Sequence, residues 1–189
     1  MPETIAACRA LLRRGLPPIY RAHVLGTLAE CAEMEGDFVE AAELLVRAEG
    51  TLRATRMSAV LRAQQLAIVA ARRAFAHAAC GELDRAEATL RTAGARDGVP
   101  LAGALTSRAL LLLLARRGLR QQVLERFAAD ARLMRNALAW RDRALVAVIA
   151  AYATGRELPR GSVDPAIVPW VTRAFPEAAS MLGAPEATP

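Results

Sequence analysis

Four glycines constrain this chain more than any other feature. Gly36, Gly81, Gly118 and Gly155 stand 45, 37 and 37 residues apart, and each closes an apolar pattern of helical period. The first unit shows the logic. Leu25, Leu28, Ala29 and Ala32 recur at 3- and 4-residue steps and share one helical face. Gly36 has no Cβ to clash in the left-handed conformation that ends a helix. Asp37 follows as an N-cap, with Glu40 three residues on to complete a capping box. Ala41, Leu44, Leu45 and Ala48 then carry a second stripe. Neither helix can bury its stripe alone, so each pair must pack on itself and on its neighbours.

Read in order, the chain predicts a helix over 2–14, then a break at Gly15 and Pro17-Pro18. Further helices are expected over Ile19–Glu35, from Asp37 to about Ala54, over Met57–Cys80 and over Glu82–Ala93. Gly94, Gly98 and Pro100 punctuate a loop. Helices over Leu105–Arg117, Leu119–Arg135 and Leu138–Thr154 follow. The run Leu110–Leu114 is apolar all round and should be buried on both sides. Pro159, Gly161 and Pro165 mark a second break. Short helices near Pro165–Phe175 and Glu177–Leu182 and a frayed tail over Gly183–Pro189 end the chain. β-branched residues never alternate over a strand length, so the fold class is all-α, with about 8–10 helices. The expected division is a helical repeat domain over 1–158, short capping helices over 159–182 and a flexible tail over 183–189.

Charge is unevenly spread. Residues 1–50 carry a net −3, 51–100 a net +4, 101–150 a net +6 and 151–189 a net −1, and every basic residue is arginine. GC-rich coding explains this; so does a basic middle that meets an acidic partner. Cys8, Cys31 and Cys80 are odd in number and widely separated, which fits reduced thiols buried as small apolar residues. Glu3, Arg9, Arg13 and Arg14 argue against a signal peptide. Ala144–Ala153, at ten residues, is far short of the ~20 that a bilayer requires. A cytoplasmic protein without a membrane span is expected.

A helix–turn–helix recurring at this period resembles the tetratricopeptide repeat, whose unit is about 34 residues. In the first unit Leu28, Ala29, Ala32, Gly36, Ala41, Leu45 and Ala48 stand at that family's packing positions. In the second, Ala74, Gly81, Ala86, Leu90 and Ala93 do, and GELDRAEATLRTA looks like its turn and second helix. The third keeps Leu110, Leu111, Leu114, Gly118 and Phe127, but has Val123 and Asp130 where small residues are usual. The fourth keeps only its first helix. The period is longer than the family's, and Ala32, His77 and Leu114 replace its first-helix aromatic.

Chemistry is sparse. His77 and Cys80 lie three apart on one helix, but no third metal ligand is expected nearby in sequence, and the pair has no oxyanion site for catalysis. No phosphate-binding, dinucleotide, metalloprotease or nucleophile-elbow motif occurs. Arg72-Arg73, Arg116-Arg117, Arg132, Arg135, Arg141 and Arg143 could grip phosphates, but few aromatics accompany them, so nucleic acid is disfavoured. No cofactor, metal or catalytic residue is expected.

The resemblance implies that the first helix of each unit lines a concave groove. Mapped by position, the partner-binding residues are Thr27, Glu30 and Glu33, then Arg72 and Phe75, then Arg108, Leu112 and Arg116, then Tyr152, with His23, Ile68, Leu105, Leu145 and Ile149 beside them. The asparagines and lysines with which the family clamps a peptide carboxylate are absent. An apolar helix, or an extended peptide with an acidic residue, would suit this groove, as would a second copy of the chain. The expected function is a non-enzymatic adaptor that docks a protein segment. The alternative is a regulatory or sensor module that binds a small ligand or nucleic acid. Reversing Arg72 and Arg108 to Glu should abolish docking without unfolding the chain.

Overall fold

The structure is a computed structural model that describes residues 2–93, 99–159 and 161–183. Among these residues it is all-α, an antiparallel helix–turn–helix stack with no strand. The helices are α1 (Pro2–Arg13), α2 (Pro18–Glu35), α3 (Phe38–Ala54), α4 (Ala59–Ala79), α5 (Leu83–Ala93), α6 (Pro100–Arg116), α7 (Arg120–Ala137), α8 (Trp140–Thr154) and α9 (Val168–Ala174). A 3-10 turn, Pro176–Leu182, closes the described chain. No described helix is long and apolar enough to cross a membrane.

Local chemistry sets the boundaries. Pro18 opens α2 at its first turn, where a missing N–H costs nothing. Gly36 closes that helix at φ 78°, and the Asp37 carboxylate accepts from the Glu40 N–H at 2.9 Å to open α3. Ser58 caps α4 in the same way, accepting from the Leu61 N–H at 3.2 Å. All four repeat glycines adopt positive φ. Pro100, read in the sequence as part of a loop, instead occupies the first turn of α6, which therefore begins five residues earlier than its apolar pattern does. Gly94, Gly98 and the tail beyond Gly183 lie outside the described residues.

Packing follows the pairs. α2 lies on α3, α4 on α5 and α6 on α7, and α4 and α6 run side by side. The single core is built mostly of alanine and leucine. Ala29, Ala41, Ala48, Ala71, Ala74 and Ala78 are fully buried, and their small side chains let the helices approach closely. Leu111, Leu112 and Leu113 are buried, while Leu110 and Leu114 pack half-buried against the same core, as an all-round apolar helix requires.

Candidate functional site: a trough filled by the C-terminal segment

The inner faces of α2, α4, α6 and α8 converge on a cluster of charge and aromatic rings. Glu33 and Arg108 are each 1% exposed. The Glu33 carboxylate accepts from Arg72 Nε at 3.1 Å and faces Arg108 Nη2 at 3.7 Å. Arg108 Nη1 pairs with the Asp142 carboxylate, and Arg72 Nη1 donates to the Gly26 carbonyl at 3.2 Å. The Arg108 guanidinium also stacks on Phe75, 3.8 Å from the ring centroid. Four helices, α2, α4, α6 and α8, thus supply one neutralised network of two cations and two anions. Burial alone would lower the Arg108 pKa, but Asp142 and Glu33 outweigh it and hold the guanidinium above its ordinary value.

The C-terminal segment reaches into this place. Trp170 on α9 is buried, and its indole Nε1–H donates to the Glu33 carbonyl at 2.7 Å. That carbonyl, in the last turn of α2, also accepts the Gly36 N–H at 3.1 Å, so the tryptophan adds a second donor to the helix end. The Trp170 ring lies 6.3 Å from that of Phe75, which meets Phe38 edge-on at 5.9 Å. Arg141 covers Trp170 at 4.7 Å. Further along, Phe175 is fully buried and packs edge-on against Tyr152 at 5.0 Å. Glu177 accepts from Arg116 Nε at 3.1 Å, and Arg116 Nη1 donates to the Ala78 and Ala79 carbonyls at the end of α4. Arg173 crosses Gly36 so closely that a Cβ there would stand 2.5 Å from its Nε.

The groove residues expected from sequence divide by depth. Thr27 and Glu30 are exposed on the rim, as is His23. Arg72, Arg116 and Tyr152 are half-buried, the last two holding the C-terminal segment. Phe75 and Leu112 are fully buried, and Glu33 and Arg108 are buried at the floor of the trough. For the charged pair the reason is mutual satisfaction: the helices face their opposite charges toward each other, and Trp170 of α9 packs beside them. Reversing Arg108 is therefore expected to unfold the chain, because a third carboxylate would join the buried Glu33 and Asp142.

Sequence reasoning missed Trp170, Phe175 and Asp142, and read Arg141 only as one of a run of arginines that could grip phosphates. The available signal was scarcity. The chain has 2 Trp and 4 Phe, and Trp170 and Phe175 stand five residues apart in a sequence so poor in rings.

Beside the aromatic cluster the trough stays open. A cavity of about 270 Å³ lies among Glu30, Glu33, Arg72, Arg108, Arg141 and Asp142. A second, of about 190 Å³, adjoins it at Glu30, Ile68 and Arg72 and runs toward His23 and Thr27. Compared with protein-family models, curated proteins and solved structures, the chain matches none.

Proposed function

We propose that this chain is a non-enzymatic, tetratricopeptide-like docking module whose inner trough accepts a short apolar helix with a bulky aromatic anchor and an acidic residue behind it. One observation carries the reading: the chain's own segment from Val168 to Glu177 has that chemistry and occupies the trough, with Trp170 as anchor and Glu177 on Arg116. Of the carboxylates that line the cavity, Glu33 and Asp142 are held by arginine, and Glu30 stands exposed at the rim. The three cysteines are free, which fits a reducing, cytoplasmic setting.

A tethered segment competes at an effective concentration of order millimolar. A partner must therefore displace it, or enter beside it at the rim formed by Thr27 and Glu30. The test removes the internal anchor. A labelled peptide of residues 165–182 is titrated onto the full chain bearing Trp170→Ala, with anisotropy as readout. Saturable one-to-one binding, lost when the peptide's own Trp170 and Phe175 become alanine, is expected. Absence of saturable binding would refute the proposal.

A second reading, a sensor of a small anionic ligand, draws support from a different observation. Arg72 Nη2, Arg108 Nε and Arg141 Nε are buried without hydrogen-bond partners around the 270 Å³ cavity. It predicts that millimolar dicarboxylates or phosphates raise the melting temperature steeply at low salt and little at high salt.

A further inference from the structure

The four repeat turns share one hydrogen-bond pattern. In each, the residue after the glycine donates back to a carbonyl five residues earlier: Asp37 to Ala32, Glu82 to His77, Leu119 to Leu114 and Arg156 to Ala151, at 2.8–3.2 Å. The glycine N–H closes the inner bond in each turn, to Glu33, Ala78, Ala115 and Tyr152 respectively. This is the Schellman arrangement, and it brings the side chains of its first and last residues together. At Gly118 those residues are Leu114 and Leu119, the usual apolar contact. At Gly81 they are His77 and Glu82, with Cys80 between them as the C-cap.

His77 Nδ1 and Glu82 Oε2 lie 2.6 Å apart. One ligand atom from each of His77, Cys80 and Glu82 falls within 4.8 Å of the other two. Tetrahedral zinc, with bonds of about 2.0–2.3 Å, requires ligand atoms roughly 3–4 Å apart, so small side-chain rotations close the set. The expectation of no third ligand nearby in sequence is corrected at Glu82, which lies two residues past Cys80, beyond the helix end, where the turn folds it back.

We propose that His77, Cys80 and Glu82 form a site for a thiophilic divalent cation of the zinc type, with the fourth position open to water. Several features of the turn suit it. A helix C-terminus favours a cation. Arg85 donates to Glu82 Oε1 at 2.7 Å and leaves Oε2 toward the site, the outer-shell arrangement that orients a ligating carboxylate. Glu82 is 39% exposed on its side chain and His77 13%, so an ion can enter. Burial, joined by the Glu82 carboxylate, raises the Cys80 thiol above its ordinary pKa, and hydrogen bonds from the Glu82 and Cys80 backbone, then Arg116, offset this in part. The bare thiol therefore stays protonated and is a poor nucleophile. On binding, the metal displaces the Cys80 proton to solvent, takes the lone pair of a neutral His77 nitrogen, and changes no oxidation state. Cys8 and Cys31 are buried elsewhere and take no part. The site is independent of the docking reading.

Cobalt(II) reports such a site directly, because a thiolate ligand gives a charge-transfer band and four-coordination gives intense visible bands. Titration of the full, reduced chain should saturate at one cobalt per chain, with zinc displacing it. Cys80→Ser should remove the charge-transfer band, whereas Cys8→Ser and Cys31→Ser should keep it. His77→Gln and Glu82→Gln should each weaken binding at least tenfold, and Arg85→Ala by about 10-fold. If Cys80→Ser misfolds by circular dichroism, the His77 and Glu82 variants decide. No charge-transfer band in the parent chain, a band that survives Cys80→Ser, or affinity unchanged in both His77→Gln and Glu82→Gln would overturn the proposal.

Discussion

Replacing Trp170 with alanine should detach the C-terminal segment and leave the repeat stack standing. The residue is 4% exposed, stacked between Phe75 and Arg141, and bonded to the Glu33 carbonyl. Truncating a buried tryptophan costs about 3–5 kcal/mol. The Glu33 carbonyl keeps the Gly36 N–H at 3.1 Å, so little is added for an orphaned acceptor. α9 has only 7 residues, too few to remain helical alone, so losing its anchor should unravel it from Val168 onward. The loss of global stability then saturates at whatever the segment contributes, because opening is local. Hydrogen exchange read by mass spectrometry is the assay. Peptides covering 165–182 should exchange at near-unfolded rates in Trp170→Ala, while α4 and α6 keep their protection. Trp170→Phe, which keeps a ring and loses the hydrogen bond, should cost about 1 kcal/mol. Uniform loss of protection across α2 to α8, or no change at 165–182, would refute the reasoning.

Three other perturbations follow from named contacts. Arg108→Glu should leave no cooperative thermal transition, since breaking a buried pair already costs about 3–5 kcal/mol and here a like charge is added; calorimetry checks it. Gly36→Ala should lower stability by about 1–2 kcal/mol from its left-handed backbone, with a further loss as Arg173 is pushed away, measured by urea unfolding. The hydrogen bond from His77 depresses the Glu82 pKa below the usual carboxylate value, so its contribution is intact above about pH 4.3 and fades as pH falls through the lower folded-state value. Melting temperatures of Glu82→Gln and the parent should therefore differ near neutrality and converge in acid.

The helices and their turns were legible because the signals are local. Gly36, Gly81, Gly118 and Gly155 mark their own backbone conformation, and the stripe through Ala41, Leu45 and Ala48 names its own buried face. The site was legible only in part. Periodicity says which face of α2 or α6 turns inward, but not what covers it, and the cover lies 137 residues from Glu33 in sequence. Glu33 and Arg108 read as groove charges because lone charges are usually solvated. Their pairing needs Asp142 from another repeat, which no helical wheel connects. Glu82 escaped notice for the opposite reason: it is close in sequence, but only a turn geometry brings it to His77.

The state of the trough can be read from one ring. With Trp140→Phe, an exposed position, Trp170 is the only tryptophan left in the chain. Its native emission should be blue-shifted and nearly immune to acrylamide, in contrast to Trp140 in the Trp170→Phe chain. A Trp170 quenched as freely as Trp140 would mean that the segment does not lie in the trough, and the account of this fold's function would fail with it.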